Sequence, residues 1–229
     1  MTFDGLQKMT LLDFPGKIAC TLFTHGCNFR CPFCHNPLMV VEEATAQYSE
    51  EDILSFLKTR QGLLDGVCIT GGEPTLHKDL PEFIKKVRAL GFAVKLDTNG
   101  ALPNRLKALV DEGLLDYVAM DIKSSPTRYG EAVGIPNFDV TPILESVKLL
   151  ESSDLPHEFR TTVVKELHDR ETIQDIGVWL AGNTKYFLQQ FQNDKPLIGE
   201  NLTPYEPANL DEFREILAST LPNTQVRGV

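Results

Sequence analysis

The chain has 229 residues, of which 42% are hydrophobic and 24% are charged, as is usual for a folded globular domain. Its 22 basic and 32 acidic residues leave a formal net charge of -10, which argues against nucleic acid or an anionic membrane as the main partner. No apolar run approaches the roughly 18 residues of a membrane span, and the first residues do not resemble an export signal. We therefore expect a cytoplasmic protein with a single domain over residues 1–229.

The predicted secondary structure alternates short apolar strands with amphipathic helices along the whole chain. The strands are predicted at residues 17–24, 66–70, 92–98, 117–123, 157–164 and 184–191, and the helices at residues 51–60, 79–91, 103–113, 141–153, 170–182 and 207–220. Ser49 and Asp52 resemble a capping box before the first helix. Asp79 and Thr141 are the predicted caps of two later helices. The stretch 192–229 is predicted to be a C-terminal loop and helix that pack on the domain.

Six strand and helix units predict a parallel sheet with right-handed crossovers. Six are too few for a closed eight-stranded barrel, so we expect an α/β fold that is a partial (β/α)6 TIM-like barrel. Four unusual stretches follow predicted strands: the cysteine loop 25–37, GGEP at 71–74, DTNG at 97–100 and DIK at 121–123. Because the carboxyl ends of parallel strands form one face, these stretches are predicted to meet there.

The cysteine loop carries Cys27, Cys31 and Cys34 within eight positions, with no fourth cysteine nearby. Thiolates at this spacing can bind three corners of a cubane iron–sulfur cluster and leave the fourth iron open to another chelator. A structural zinc ion would need four ligands, and His25 or His35 could complete that set, so zinc remains an alternative.

Two further cysteines, Cys20 and Cys68, lie within predicted strands and are expected to be small buried side chains. An odd number of cysteines without an export signal argues against a disulfide framework. Metal binding is therefore the favoured use of the clustered cysteines.

The order of residues from Cys27 to Cys34, with the aromatic Phe33 before the last cysteine, resembles the signature of the radical S-adenosylmethionine (SAM) enzymes. In that superfamily three cysteines hold a 4Fe-4S cluster, SAM chelates the open iron, and the reduced cluster cleaves SAM to a 5'-deoxyadenosyl radical. The resemblance implies a partial barrel of the radical SAM type, with Phe33 and His35 beside the cofactor. GGEP resembles the GGE motif of these enzymes, which implies that three residues hold the methionine amino group: Gly71, Gly72 and Glu73.

Within the superfamily, the chain is most similar to the activating enzymes of glycyl-radical enzymes. DFPGK at 13–17, LDTNG at 96–100 and MDIK at 120–123 carry this likeness. It implies that SAM lies beside a monovalent cation, Na or K, and that the cofactor and cation are held by Asp97, Thr98, Asp121 and Lys123. Arg160 matches an arginine of the family and is expected among the cofactor-binding residues, where it could neutralise a carboxylate; the alternative is an inward arginine that pairs with a structural acid. The Pro-Tyr-His of that family after the sixth strand is absent here, and Gln190, Phe191 or Gln192 is expected to contact the adenosine instead.

The resemblance implies an oxidoreductase that takes an electron from flavodoxin or ferredoxin, cleaves SAM, and abstracts a hydrogen from a glycine of a glycyl-radical enzyme. GLQKMTLLDFPGK at 5–17 is most similar to chains to which activation of anaerobic ribonucleoside-triphosphate reductase is assigned. That reductase is therefore the expected partner. One alternative is a radical SAM enzyme acting on a small molecule, as in the 7-carboxy-7-deazaguanine synthases. A more distant alternative is a non-catalytic zinc-binding module.

Overall fold

The computed structural model describes residues 1–41, 46–182, 184–194 and 196–228. Its strands are β1 (Thr2–Phe3), β2 (Gly5–Thr10), β3 (Ala19–Thr24), β4 (Tyr48–Ser49), β5 (Gly66–Gly71), β6 (Ala93–Thr98), β7 (Tyr117–Asp121), β8 (His157–Val163), β9 (Lys185–Gln190) and β10 (Thr224–Arg227). Its helices are α1 (Leu38–Val41), α2 (Glu50–Lys58), α3 (Leu80–Ala89), α4 (Pro103–Asp111), α5 (Tyr129–Val133), α6 (Thr141–Glu151), α7 (Arg170–Trp179) and α8 (Pro207–Leu217), with a 3-10 turn at Pro74–Leu76. None of the described helices is long and apolar enough to cross a membrane.

Eight of these strands form one open sheet in the order β10-β9-β8-β7-β6-β5-β3-β2. The seven strands from β3 to β10 in this order are parallel to one another, and β2 pairs antiparallel with β3 at the edge. The six predicted strands are the six central ones, each joined to the next by a crossover that contains a helix. The expected α/β class with a partial TIM-like barrel is confirmed.

The sequence correctly predicts the position of two of the three helix caps. Oγ of Ser49 accepts a hydrogen bond from the Asp52 N–H at 3.1 Å, and the Asp52 carboxylate accepts one from the Ser49 N–H at 2.9 Å, which completes the capping box of α2. Asp79 is the cap residue of α3, but its carboxylate pairs with the amino group of Met1 at 2.8 Å and makes no hydrogen bond to the helix. Thr141 is the first residue of α6 and follows the cap residue Val140, so its predicted position is wrong by one.

The two outer strands of the sheet escape the sequence prediction. β2 reads GLQKMT and exposes three consecutive residues, so it lacks the apolar character that marks a buried strand. β10 has four residues, TQVR, and its pairing with β9 is what makes it a strand. Edge strands with one neighbour need little buried apolar surface, and periodicity is then a weak guide.

The side chains inside the barrel change character from one end to the other. Near the amino ends of the strands, Phe14, Ala19 and Tyr117 form a buried apolar cluster that closes that end. Towards the carboxyl ends the inward positions become polar and surround a cavity. The described part of the loop after β9 reaches this end, where the Gly199 N–H donates to the Pro32 carbonyl at 2.8 Å.

Candidate active site

A cavity of about 450 Å³ opens at the carboxyl ends of the strands. This volume lies within the range of roughly 300–1,000 Å³ that is usual for sites of small ligands. Every predicted site residue except Glu73 lines it, namely Cys27, Cys31, Phe33, Cys34, His35, Gly71, Gly72, Asp97, Thr98, Asp121, Lys123 and Arg160. The four stretches that the sequence places after strands therefore meet at one face.

The three thiols of the cysteine loop line this cavity, and burial makes two of them weaker acids. Burial raises the pKa of Cys31 to about 12, and it also raises the pKa of Cys27. Thiols in such surroundings stay protonated until a metal displaces the proton. The donor set of three thiols on one loop fits a cluster with one open corner, because each thiolate then binds a different iron.

A single zinc ion fits the three cysteines less well than an iron–sulfur cluster does. Among the described residues, no group of three His, Cys, Asp or Glu side chains is placed to hold one metal ion. The two histidines that could complete a zinc site have other partners: Nδ1 of His25 lies 2.5 Å from the Asp4 carboxylate, and Nε2 of His35 lies 3.0 Å from the Gln192 carbonyl. The zinc alternative therefore finds no support in the geometry.

Backbone hydrogen bonds fasten the cysteine loop to its surroundings. The Gly26 N–H donates to the Met39 carbonyl at 2.8 Å, and the Gly26 carbonyl accepts from the Glu73 N–H at 2.7 Å. On the other side, the Arg30 N–H donates to the Val133 carbonyl at 2.9 Å. The polypeptide thus holds the loop in place on both sides of Cys27.

Gly71 and Gly72 of GGEP must be glycines because the backbone of residues 24–26 comes very close to them. A Cβ atom at Gly72 would lie 1.9 Å from the Gly26 carbonyl oxygen, so no side chain fits there. Gly71 has a φ of +113°, and its Cβ would lie 2.3 Å from the Thr24 nitrogen. Both glycines line the cavity, and their lack of side chains brings the cysteine loop against the end of β5.

The Glu73 side chain, which is predicted to accept a hydrogen bond from an ammonium group, has several protein donors in the structure. Glu73 is fully buried below the cavity. Its Oε1 accepts from the Thr75 N–H at 3.0 Å and from the Thr98 hydroxyl at 2.8 Å, and its Oε2 accepts from the Asn99 N–H at 2.7 Å. The carboxylate therefore joins the segments that follow β5 and β6.

Two carboxylates and three cationic side chains form a network on the floor of the cavity. Arg160 lies between the carboxylates, with Nε 2.5 Å from Oδ1 of Asp121 and Nη2 3.0 Å from Oδ2 of Asp97. Nζ of Lys123 lies 2.9 Å from the second oxygen of Asp121, and Lys95 is paired with the second oxygen of Asp97. Each carboxylate oxygen thus accepts from a cationic group.

The charges of this network keep both aspartates ionised. Burial alone would raise the pKa of Asp97, but the charges of Arg160 and Lys95 outweigh it and hold that pKa below its ordinary value. The pKa of Asp121 is lowered further, since Arg160 and Lys123 again exceed the effect of burial. The guanidinium of Arg160 thus supplies a positive charge between the two carboxylates, and the monovalent cation beside SAM stays a prediction.

The sequence analysis missed several residues around these groups. Lys95 is almost fully buried within β6, where an apolar residue would be expected, and its Nζ lies 3.8 Å from the thiol of Cys68. His168 is fully buried, with Nε2 2.8 Å from the Lys123 carbonyl and Nδ1 3.0 Å from the Val164 nitrogen. Nothing in the sequence around His168 marks it as a buried side chain.

The three residues expected to contact adenosine after the sixth central strand are placed elsewhere. Nε2 of Gln190 donates to the Tyr205 carbonyl at 2.6 Å, and Phe191 is stacked on the ring of His35 with centroids 5.6 Å apart. Gln192 donates to the Gly228 carbonyl at 3.1 Å. None of the three lines the described cavity. Two polar side chains do so instead, Thr162 at the end of β8 and Gln189 in β9.

Residues 21–177 of the chain match the family model of the Radical SAM superfamily. This match spans the sheet from β3 to α7 and includes the cysteine loop, GGEP, DTNG and DIK. The chain belongs to the radical SAM superfamily. Membership implies a 4Fe-4S cluster and SAM, and the three thiols and the adjoining cavity fit both groups.

This radical SAM protein is also similar to several curated proteins. One from Methanocaldococcus jannaschii, named as a glycyl-radical enzyme activating enzyme, is 33% identical over 93% of this chain and 89% of its own length. A second from that organism carries the same kind of name and is 29% identical over 78% of this chain and 68% of its own length. A protein of Saccharolobus solfataricus, named as a GTP 3',8-cyclase, is 36% identical, but only over 55% of this chain and 40% of its own length.

Solved structures support the fold of this radical SAM protein at low sequence identity. Streptococcus suis SuiB bound to S-adenosylmethionine superposes with a TM-score of 0.70 at 15% identity over 91% of this chain. The chain spans about half of SuiB, 52% of its length. Native anSMEcpe with bound AdoMet gives a TM-score of 0.60 at 16% identity over 85% of this chain and 57% of that one.

Proposed function

We propose that this radical SAM protein is an activating enzyme that abstracts a hydrogen atom from a backbone glycine of a glycyl-radical enzyme. The observation that carries the proposal is the similarity to a protein of that name over 93% of this chain and 89% of the relative. The likeness to GTP 3',8-cyclases covers 55% of the chain and supports the shared radical SAM core alone. The motifs DFPGK, LDTNG and MDIK add support within the chain.

Cys27, Cys31 and Cys34 would hold the cluster, and the open iron would face the cavity that they line. When bound, the cluster and SAM supply one-electron reductive cleavage of a sulfonium bond followed by hydrogen-atom abstraction. Flavodoxin or ferredoxin is the proposed electron donor. The role of the polypeptide is to bind and orient these groups and to exclude water.

The charge network supports binding of a zwitterionic ligand such as the methionine part of SAM. Lys123 and Arg160 bring cationic groups to the cavity, and Asp97 and Asp121 remain ionised beside them. Because the network has three cations and two anions, it offers a net positive charge to a ligand carboxylate. We propose that these side chains, with Thr98, hold the cofactor in one orientation.

The aromatic side chains near the cysteines support the exclusion of water. Phe33 is almost fully buried, and its ring faces His168 with centroids 6.2 Å apart. His35 and Phe191 are stacked with an interplanar angle of 9° beside the cysteine loop. We propose that Phe33 and His35 shield the cofactor from water, because side reactions of a reactive intermediate are prevented when water is excluded from the site.

The proposed partner is anaerobic ribonucleoside-triphosphate reductase, on the strength of the likeness at residues 5–17. The test uses the full chain, purified and loaded with iron and sulfide without oxygen, then mixed with reductant, SAM and the purified partner. We expect the doublet of a glycyl radical in the electron spin resonance spectrum and one 5'-deoxyadenosine for each radical formed.

Two controls make this experiment decisive. Replacing Cys31 by Ala should abolish both cluster absorbance and SAM cleavage, because one of three iron ligands is lost. Replacing the radical-bearing glycine of the partner by Ala should remove the doublet. SAM cleavage without a doublet in any glycyl-radical enzyme of the same genome would contradict the proposal and favour a small-molecule substrate.

A further inference from the structure

The side chain of Asn99 is held in one orientation on the loop after β6. The residue is buried, with 6% of its surface exposed. Its Oδ1 accepts a hydrogen bond from the Ala101 N–H at 2.9 Å. Because a backbone N–H can only donate, its partner is the amide oxygen, and the amide nitrogen of Asn99 must point away from Ala101.

The amide nitrogen of Asn99 points at the first cysteine of the loop. Nδ2 lies 3.7 Å from Sγ of Cys27. The backbone N–H of Phe29 lies 3.4 Å from the same sulfur. Within the described residues, neither of the other two loop cysteines has an N–H donor to its sulfur. The three cluster thiols are therefore unequal, and Cys27 alone has an amide side chain directed at it.

Three neighbouring segments fix Asn99 in this position. Its own N–H donates to Oε2 of Glu73 at 2.7 Å, which ties it to the loop after β5. Its Nδ2 also donates to Oδ1 of Asn28 at 2.8 Å, which ties it to the cysteine loop. With the bond from Ala101, the amide cannot turn away from Cys27 without breaking a contact on another side.

We propose that Asn99 is a positioning residue that donates a hydrogen bond to the Cys27 thiolate and raises the reduction potential of the bound cluster. This inference rests on the proposed function, because it requires the iron–sulfur cluster. An added electron makes the ligating sulfurs more negative, and an N–H donor stabilises a more negative acceptor better. Hydrogen bonds to sulfur are among the factors that set the potential of such clusters.

The test measures a potential, because a purely structural role of Asn99 would not move it. Wild type and Asn99→Ser are loaded with iron and sulfide without oxygen and titrated with dithionite, which gives one electron to the cluster with no bond made or broken. The Ser hydroxyl can still accept from the Ala101 N–H but is too short to reach Cys27. We expect the ratio of reduced to oxidised cluster at a given potential to fall about tenfold, a shift of ~59 mV to more negative values.

Two further variants separate the hydrogen bond from shape and charge. Asn99→Gln keeps an amide donor and should recover part of the lost potential. Asn99→Asp keeps the size of the side chain and the acceptor for Ala101, but a carboxylate oxygen replaces the N–H donor to Cys27. Asn36→Asp is the control, because it adds the same negative charge to the cavity wall without changing that donor. Because only Asn99→Asp also removes the donor, we expect it to shift the reduction potential of the cluster to more negative values than Asn36→Asp does.

The possible outcomes are distinct. Equal potentials in wild type and Asn99→Ser at equal iron content would overturn the inference, as would equal shifts in the two Asp variants. If Asn99→Ser does not fold, the comparison of the two Asp variants decides the question. A wild-type protein that binds no cluster under these conditions would contradict the proposed function itself.

Discussion

Arg160 lies between Asp97 and Asp121, whose carboxylates would otherwise repel each other across the floor of the cavity. All three side chains are at least 74% buried, since their exposed fractions are 17%, 12% and 26%. In such surroundings a charge without its partner is destabilising by several kcal/mol, whereas an exposed ion pair contributes little. The network is thus a single unit in which each member depends on the others.

Replacing Arg160 by Met should lower the free energy of unfolding of the cluster-free protein by about 3 kcal/mol, because two buried carboxylates lose their shared partner. Urea denaturation followed by circular dichroism measures this. Arg214→Met is the matched control, since Arg214 forms an exposed pair with Asp211 and should contribute less than about 1 kcal/mol.

A second substitution tests the stated cause. Adding Asp121→Asn to Arg160→Met removes one of the two carboxylates that have lost the guanidinium between them, so their repulsion is relieved and the double variant should recover part of the lost stability. Equal effects of the changes at Arg160 and Arg214 would show that the network is no stronger than a surface pair.

At the scale of single residues, the sequence predicts the site well where polar or charged side chains lie at the carboxyl end of a predicted strand. Asp97, Asp121 and Lys123 are placed at the cavity because parallel strands bring their carboxyl ends together. Lys95 could not be predicted, because its charge lies inside a strand and is tolerated there only through its pairing with Asp97. Asn99 belongs to the recognised stretch DTNG, but its role depends on which way an amide turns, and that is a matter of tertiary contacts.

The segment after β5 comes close to the backbone of the cysteine loop at Gly72. Gly72 has no positive φ there, so its requirement for glycine comes from space alone. Gly5 in β2 is a useful contrast, because a Cβ there would meet the ring of Phe23 at 3.3 Å, a contact that a side chain can relieve.

Gly72→Ala should destabilise the protein by about 3 kcal/mol, because the added methyl group meets a backbone oxygen that cannot move alone. The variant should also load less iron than wild type, since the displaced loop carries Cys27. Chemical denaturation and iron analysis measure the two effects. Gly5→Ala is the control and should change the stability by less than about 1 kcal/mol. A similar small effect at both glycines would contradict the close approach described for Gly72.

At the level of elements, the six central strands and the helices between them are predictable because each buries an apolar face of regular period. β2 and β10 are not, because an edge strand is defined by its neighbour more than by its own residues. α5 has five residues and ends at Gly134 in the left-handed conformation, where it packs on the carbonyl of Arg30. Such a short helix carries no periodic signal.

Across the whole molecule, His168 connects three parts of the chain. Its ring meets the Lys123 carbonyl and the Val164 backbone, and its own carbonyl accepts from the Tyr205 hydroxyl at 2.8 Å. Burial lowers the pKa of His168 from 6.5 to about 4 against the effect of its hydrogen bonds. The charge of Arg128 lowers this pKa further, and that of Asp169 opposes the change.

This pKa predicts a pH-dependent stability. The folded protein binds a proton at His168 less tightly than the unfolded chain, so the contribution of His168 is fully present above pH 6.5 and is lost as the pH falls towards 4. The loss is on the order of 3 kcal/mol over this window. We expect wild type to lose more stability than His168→Gln between pH 7.5 and pH 4.5.

The comparison of the two proteins is needed because Glu73 titrates in the opposite sense. Burial raises the pKa of Glu73, so its contribution to stability decreases as the pH rises. That contribution is common to wild type and His168→Gln and cancels in the difference of their unfolding free energies, measured in urea at each pH. Identical pH profiles for the two proteins would exclude the assigned role of His168.

The cysteine loop is held by backbone hydrogen bonds, and this bears on what remains of the protein when oxygen destroys a bound cluster. Gly26 and Arg30 are fastened by neighbouring carbonyls that do not involve any thiol, so the loop does not depend on iron for its shape. Zinc fingers, in contrast, unfold when their metal is removed. We therefore expect that a cluster destroyed by oxygen leaves behind a folded receptor, which new iron and sulfide would reload without synthesis of a new chain.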